Sequence, residues 1–374
     1  MPASKPSTRA KQKRAERSAD QRTLRRRKDS HLDLCENQEV EYRGKTTLFE
    51  DVDLVHNALP ELAFEDIDVS IEFLGERLRA PLLITGMTGG TDQAFAVNRD
   101  LAIVAERCGI AFGLGSQRVM QRDPSTRRTF AVREFAPSVL LFANIGLTQA
   151  ADQSTAATRQ LVEDVCADAL CVHLNPAQEL IQPEGDRSFR HGYAALKRLT
   201  AEIGVPVIAK ETGCGISRQV GDRLRAAGVR YADVSGAGGT SWVKVETLRG
   251  EGPHRRLGES FSNWGIPTAA SLAMLRDSKL ELIASGGLRN GLDVAKAIAL
   301  GARVGGAALP VYRAYRSASI DGAVAFIGEL IDGLKTAMLL TGSRTLADLS
   351  EQPFVLGPAL RAWLAAVENS QTTR

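Results

Sequence analysis

LELIASGGLRNGLDVAKAIALGARVGGAALP, residues 280–310, contains one complete strand–helix–strand unit. The runs LELIASGG (280–287) and RVGGAALP (303–310) are apolar and β-type, and the stretch from Asn290 to Gly301 carries helix start and stop signals. Two apolar strands joined through a helix are typical of parallel strands that are buried on both faces. The unit therefore predicts an α/β protein with a parallel sheet.

The same alternation begins near residue 80. Helix-like stretches such as residues 217–227, which start at Ser217 and end before Gly228, separate the apolar runs. Eight strand–helix units over about 230 residues are typical of a closed (β/α)8 TIM barrel. An open parallel sheet is the alternative, although no GxGxxG follows the first strand. The six earlier apolar runs are PLLITGM (81–87), IAFGLGS (110–116), VLLFANIG (139–146), ALCVHLN (169–175), VPVIAKE (205–211) and YADVSG (231–236).

Composition divides the chain into a basic tail (1–22), an N-terminal segment that contributes to the active site (23–79), the barrel (80–345) and a C-terminal helical extension (346–374). Residues 1–28 hold 11 Lys or Arg against two acids, so the rest of the chain has a net charge of −6. We interpret the tail as a disordered, solvated extension. A transit peptide and a nucleic-acid-binding arm are the alternatives, and the arm would lack interleaved aromatic residues.

The overall composition is that of a soluble globular protein, with 44% hydrophobic and 24% charged residues. No run approaches the roughly 18 apolar residues of a membrane span. The five cysteines are odd in number and form no CxxC pair, which argues against a disulfide framework and a zinc cluster. We therefore expect a cytoplasmic protein that contacts neither membrane nor nucleic acid.

Polar or small residues end every predicted strand. The carboxyl ends of barrel strands meet at one rim, where barrel enzymes build their active sites. Small residues after the last two strands, SGGLRNG (285–291) and VGGAA (304–308), predict a phosphate site. The rim residues are Thr85, Met87, Thr88, Gly89, Ser116, Gln117, Arg118, Asn144, His173, Asn175, Lys210, Glu211, Asp233, Ser235, Ser285, Gly286, Gly287, and residues 305–308.

Several of these side chains have more than one possible functional role. Lys210 suits a Schiff-base nucleophile, a salt bridge, or a cation beside a flavin ring. His173 and Glu179 provide too few ligands for zinc, whereas one carboxylate suffices for Mg²⁺ held with substrate phosphates. The alternative is that His173 is a hydrogen-bonded histidine of the core and that Glu179 is an exposed residue at the start of a helix. Trp242 and Trp264 are either packing residues, the default for aromatic side chains, or part of a lid or an apolar wall over the rim.

These motifs together resemble the FMN-dependent type 2 isopentenyl diphosphate isomerase family. The resemblance runs from about residue 25 to residue 345 and is most specific at HLNPAQELIQPEGDRSF. It implies a homo-oligomeric FMN barrel, a tetramer or octamer, that interconverts isopentenyl and dimethylallyl diphosphate. The matching stretches are RRKDSHL (26–32), TGMTGG (85–90), GLGSQR (113–118), ANIG (143–146), HLNPAQELIQPEGDRSF (173–189), AKETGCGIS (209–217), DVSGAGGTSW (233–242), NWGIPT (263–268), SGGLRNG (285–291) and ALGARVGGAA (299–308).

The resemblance also implies roles for individual residues. Glu179 matches the Mg²⁺ carboxylate, and Gln178, His173 and Lys210 are the candidate catalytic residues. The substrate positions implied are Arg27, Lys28, His31, Ser116, Gln117, Arg118, His173, Asn175 and Gln178. The FMN positions implied are Met87, Thr88, Gly89, Ser116, Asn144, Lys210, Ser235, Thr240, Gly286, Gly287, Arg289, Ala307 and Ala308.

Moving a double bond adds one proton and removes another, with no net redox change. We expect reduced FMN to relay protons, with NADPH as reductant and Lys210 stabilising the negative charge. Gln178 would orient or shuttle a proton. An FMN-dependent 2-hydroxy-acid oxidase or dehydrogenase on the same barrel is the enzymatic alternative, and nucleic-acid binding through the basic tail is the alternative from another class.

Overall fold

The computed structural model describes residue 28 and residues 30–372 of the chain. Twelve strands lie within these residues, numbered in chain order. They are β1 Val52–Leu54, β2 Ile71–Phe73, β3 Glu76–Leu78, β4 Leu82–Ile84, β5 Ala111–Gly113, β6 Leu141–Gly146, β7 Ala169–Leu174, β8 Val207–Glu211, β9 Tyr231–Asp233, β10 Glu281–Ser285, β11 Ala302–Ala307 and β12 Phe354–Leu356.

One helix precedes β1, and the other helices separate the strands from β4 onward or follow β12. They are α1 (residues 30–37), α2 Asp92–Cys108, α3 Arg118–Arg122, α4 Leu147–Asp152, α5 Thr155–Asp164, α6 Pro176–Ile181, α7 Gly192–Glu202, α8 Arg218–Ala226, α9 Trp242–Arg249, α10 Gly252–Ser260, α11 Thr268–Leu275, α12 Gly291–Ala299, α13 Leu309–Thr341, α14 Leu346–Ser350 and α15 Pro358–Thr372.

Strands β4 to β11 form one closed parallel barrel, in which β11 pairs with β4. The predicted (β/α)8 TIM barrel is confirmed, and the open sheet is excluded. All eight predicted apolar runs contain a barrel strand. The predicted helix boundaries are also confirmed, because Ser217 caps α8 by accepting from the Val220 N–H, and Asn290 caps α12 by accepting from the Asp293 N–H.

The end of the barrel opposite the predicted rim is closed by a hairpin. Strands β2 and β3 pair antiparallel, and the hairpin places Phe73, only 1% exposed, against the Tyr231 ring at 5.8 Å between centroids. Phe73 belongs to a buried cluster with side chains from the strands, including Leu83, Phe142 and Ile283. The bottom of the barrel is therefore filled with apolar side chains, which leaves the carboxyl rim as the open end.

The segments outside the barrel pack against it and against each other. Strand β1 of the N-terminal segment pairs antiparallel with β12 near the C-terminus. The C-terminal segment, predicted to be helical, therefore also contains a strand. Residues 237–266, between β9 and α11, include the two helices α9 and α10. No helix in the described part of the chain combines the length and hydropathy that a bilayer crossing requires.

Candidate active site

A cavity opens at the carboxyl rim of the barrel, and side chains from the ends of all eight strands or the loops after them line it. Helices α1, α6, α9 and α13 contribute further lining residues. Most of the side chains predicted to form the site come together here. The predicted site residues that line the cavity are Lys28, His31, Met87, Thr88, Ser116, Arg118, Asn144, His173, Asn175, Gln178, Glu179, Lys210, Ser235, Thr240, Gly286, Gly287, Arg289, Ala307 and Ala308.

Three predicted site residues are not among the residues that line this cavity. Arg27 lies outside the described residues. Gln117 is fully buried, and its side chain donates to the Leu161 carbonyl and accepts from the Asn144 N–H, so it holds strand β6 in place. Gly89 packs against Phe130, because a Cβ at Gly89 would lie 1.9 Å from the ring.

The last two strands end in backbone that approaches its neighbours closely. Gly286 and Gly287 have φ values of 95° and 92°, in the left-handed region that favours glycine. A Cβ at Gly286 would lie 2.2 Å from the Gly236 carbonyl oxygen. After β11, Ala307 and Ala308 line the cavity immediately before α13 begins at Leu309. Glycine turns beside the first turn of a long helix form a cradle for a phosphate group.

Lys210 lies at the end of β8 and is 8% exposed. Its Nζ donates to the Glu211 carbonyl at 2.9 Å and lies 3.2 Å from Asp233 Oδ2, an ion pair without hydrogen-bond alignment. The other oxygen of Asp233 accepts from the Ser285 hydroxyl at 2.6 Å. A buried lysine that is paired with a carboxylate suits a cation held beside a ligand.

Hydrogen bonds determine the orientation of His173. Asn144 donates through Nδ2 to the Leu114 carbonyl at 2.9 Å, so its Oδ1 faces Nδ1 of His173 at 2.8 Å. Because an amide oxygen can only accept, Nδ1 of His173 carries the proton. His173 is therefore oriented by the rim and is not a histidine of the apolar core.

A cluster of amide and carboxylate groups follows strand β7. Glu179 is 5% exposed and accepts from Asn175 Nδ2 at 3.1 Å. Gln178 accepts from Asn175 Nδ2 at 3.3 Å and donates to Glu246 Oε1 at 3.3 Å. His31 Nε2 lies 2.9 Å from the same oxygen of Glu246. The predicted substrate residues thus converge on a fully buried acid of α9.

Curated relatives match nearly the whole chain. An isopentenyl-diphosphate delta-isomerase from Methanothermobacter thermautotrophicus is 45% identical over 344 residues, which cover 90% of this chain and 95% of the relative. One from Aeropyrum pernix is 46% identical over 336 residues, covering 88% and 89%. A family model described as FMN-dependent dehydrogenase matches residues 148–355. The chain belongs to the FMN-dependent type 2 isopentenyl-diphosphate delta-isomerase family.

Solved structures share the fold of this isomerase-family chain at low sequence identity. A lactate oxidase from Pediococcus acidilactici has a TM-score of 0.63 and 15% identity, and covers 85% of this chain and 88% of its own. A mandelate oxidase has a TM-score of 0.60 and 19% identity, covering 87% and 95%. At such identities the likeness supports the barrel alone.

The cavity fits the FMN that this family requires. Thr88 is 2% exposed, and its hydroxyl has no hydrogen-bond partner within residues 28 and 30–372. Leaving a buried hydroxyl unpaired is costly, so a ligand partner at this position is expected. The glycine turns after β10 and the start of α13 suit the phosphate, and the Lys210 ammonium suits a group that becomes anionic.

Glu179 also fits a cation bound together with a substrate. No Lys or Arg of the described residues pairs with this buried carboxylate. The described residues contain no group of three metal-ligating side chains, which excludes a self-contained zinc site within them. Mg²⁺ is commonly held by one or two carboxylates plus substrate phosphates.

Residues at the site that were not predicted include Gln149, Gln182, Glu246 and Arg249. Gln149 and Gln182 line the cavity, and Gln182 Nε2 is buried without a partner in the described residues. Glu246 and Arg249 lie on α9, a helix that the sequence pattern did not reveal. Trp242 lines the cavity as predicted, whereas Trp264, 60% exposed, is not among the lining residues.

Proposed function

We propose that the protein interconverts isopentenyl diphosphate and dimethylallyl diphosphate, using reduced FMN and Mg²⁺. The observation that carries the proposal is the position of Glu179, a buried carboxylate without a basic partner in the described residues, at the rim of a barrel that fits FMN. The 45% identity to a curated isomerase supports the same reaction.

Basic side chains on two sides of the cavity suit the diphosphate. Lys28 and His31 lie on the N-terminal side, and Arg118 follows β5. Each charge-assisted hydrogen bond contributes roughly 1.5–3 kcal/mol. With Mg²⁺ held by Glu179, these groups would anchor the anionic end of the substrate. The five-carbon end would then lie toward the flavin, with Trp242 shielding it from water.

The chemistry requires a dry, fixed arrangement because carbon is a poor acid and a poor base. Reduced FMN, when bound, supplies acid–base capacity next to the reacting carbons. Lys210 keeps a positive charge beside it through its 3.2 Å contact with Asp233. Gln178 is held by Asn175 and Glu246 on its two amide atoms, so its side chain is positioned at the substrate.

We further propose NADPH as the reductant, a homo-oligomeric assembly and a cytoplasmic location. Exposed apolar side chains on α6, α9 and α10, among them Leu180, Leu248 and Leu257, would suit contact between subunits. Light scattering after size-exclusion chromatography tests the assembly. The negative net charge outside residues 1–28 disfavours nucleic acid as the main partner.

Anaerobic turnover tests the reaction. We expect the FMN-loaded protein, reduced with NADPH in the presence of Mg²⁺, to convert isopentenyl diphosphate into a product of identical mass. A product with two fewer hydrogens would instead indicate an oxidase. Steady turnover with strictly oxidised FMN would refute the requirement for reduction.

The substitution Glu179→Gln tests whether this carboxylate holds Mg²⁺. The variant should retain FMN but lose about 100-fold in Mg²⁺-dependent turnover, because an amide is a poor Mg²⁺ ligand. Glu202→Gln is the control, since Glu202 accepts a hydrogen bond from Thr155 on the outer helices. Full activity of Glu179→Gln without added Mg²⁺ would show that this carboxylate holds no metal.

A further inference from the structure

The turn at residues 183–186 folds back against the helix that carries Glu179. The Gly185 N–H donates to the Gln182 carbonyl at 3.0 Å and closes the turn. A Cβ at Gly185 would lie 1.9 Å from the Glu179 carbonyl oxygen, so only glycine allows this approach. The next residue, Asp186, is thereby held beside Glu179.

Asp186 contacts the Glu179 carboxylate through its backbone. Its N–H donates to Glu179 Oε2 at 2.7 Å, while Asn175 Nδ2 donates to Oε1 at 3.1 Å. Each oxygen of Glu179 therefore has one fixed donor. A carboxylate has about four lone-pair sites, so both oxygens still have lone pairs for a cation.

The side chain of Asp186 joins two neighbouring loops to its own. Its Oδ2 accepts from the Thr148 hydroxyl at 2.8 Å and from Gln149 Nε2 at 2.7 Å, at the start of α4 after β6. The same oxygen lies 3.5 Å from Arg118 Nη1, at the start of α3 after β5. One carboxylate thus ties together the loops that follow three adjacent barrel strands.

We propose that Asp186 is a positioning residue for the diphosphate end of the substrate. It orients Glu179 through its backbone N–H and Arg118 through its carboxylate, so that a cation and a guanidinium converge on one anion. This inference rests on the proposed function. Groups that hold a metal-binding carboxylate commonly contribute about 10- to 100-fold in metal affinity or activity.

Asp168 provides a matched control at the opposite end of the barrel. It precedes β7, accepts from the Leu141 N–H at 2.7 Å and pairs with Arg133 at 2.8 Å. Asp168→Ala therefore removes an arginine pair and a further side-chain hydrogen bond, as Asp186→Ala does, but far from the cavity. Any loss that comes only from a weakened fold should be similar in the two variants.

The experiment is a calorimetric titration of the oxidised FMN holoenzyme with inorganic pyrophosphate at several Mg²⁺ concentrations. We expect Asp186→Ala to bind pyrophosphate about 10- to 100-fold more weakly and to require more Mg²⁺ for half-saturation. Its FMN affinity should match that of the wild type. Asp168→Ala should bind pyrophosphate as the wild type does.

Asp186→Asn separates positioning from plain charge. Both Ala and Asn keep the backbone N–H that donates to Glu179, but only Asn also keeps a side-chain oxygen for Thr148 and Gln149. Asn removes a negative charge near an anion. A charge effect alone would strengthen pyrophosphate binding. Positioning predicts a near-normal Mg²⁺ requirement, with pyrophosphate affinity between those of the wild type and Asp186→Ala, because Arg118 loses its counter-charge.

Unchanged or tighter pyrophosphate binding in Asp186→Ala overturns the inference, as does a wild-type protein that binds no pyrophosphate with Mg²⁺. The isomerase assay is read separately. A protein whose pyrophosphate binding depends on Asp186 but that does not isomerise its substrate would refute the proposed function and leave this inference standing.

Discussion

Glu246 is the acid on which several site side chains converge. It is fully buried on α9 and accepts from Gln178 and Arg249, while His31 Nε2 lies 2.9 Å away. Burying a carboxylate is costly unless charged and polar donors compensate it. These contacts connect α1, α6 and α9 through one side chain.

Replacing Glu246 by Gln should lower turnover by about 10- to 100-fold, the effect of losing one charged hydrogen bond of roughly 1.5–3 kcal/mol. The NH₂ group of the introduced glutamine is itself a donor and would face Gln178 or His31, which now approach an acceptor oxygen. Gln178 and His31 could therefore not both keep their present positions. Single-turnover rates and FMN titration measure the two effects separately, and FMN affinity should be unchanged.

Glu281→Gln is the control for that variant, because Glu281 pairs with Arg230 at the closed end of the barrel. If Glu246→Gln turned over at the wild-type rate, the buried acid would only support α9.

At the scale of elements, side chains at the end of each barrel strand lie at the rim, and a helix follows each strand. The end of β8 shows this best. Glu211 accepts from the backbone N–H groups of Thr212 and Cys214, while the preceding Lys210 faces the cavity. Burial raises the pKa of Glu211 to about 8, despite the lowering effect of these N–H groups and of the Lys210 charge.

This pKa predicts a pH-dependent stability. The folded value of about 8 lies above the ordinary value of 4.5, so the folded state holds a proton that the unfolded state has lost. The contribution of Glu211 is fully present below pH 4.5 and is lost, at about 1.4 kcal/mol per pH unit, as the pH rises toward 8.

Glu211→Gln removes this dependence and keeps an oxygen for both N–H groups. The Tm of the variant minus that of the wild type should therefore increase from about pH 5 to about pH 8 and level off above. Thermal unfolding across this range measures the difference. A difference that stays constant with pH would show that Glu211 is ionised throughout.

At the scale of the whole molecule, the barrel, the N-terminal segment and the C-terminal segment form one packed unit. Strand β1 pairs with β12, and the Tyr42 hydroxyl lies 2.8 Å from both the Gly213 and the Trp264 carbonyl oxygens and donates to one of them. The N-terminal segment therefore crosses the rim and brings Lys28 and His31 to the cavity. The site depends on chain segments that are far apart in sequence.

Deleting residues 1–20 should leave kcat/KM within about two-fold of the full chain, because the resemblance begins after them. Arg27→Ala, by contrast, should raise the KM for the diphosphate substrate by about 10-fold, the effect of one lost charged hydrogen bond. Steady-state kinetics of both variants tests this. A deletion that abolishes activity, or an Arg27→Ala variant with unchanged KM, would contradict the assigned roles.

The sequence by itself determined the barrel and most of the cavity lining. Near-continuous apolar runs with polar ends specify parallel strands and one rim, since these patterns depend only on local spacing and on the common direction of the strands. Only the tertiary structure decided which side chains pair. Glu246, Gln149 and Asp233 act through partners on other elements, and no local pattern encodes such distances. The turn at 183–186 shows the difference: its residues were visible in the sequence, but their contacts with Glu179 and Arg118 depend on three loops meeting at one rim.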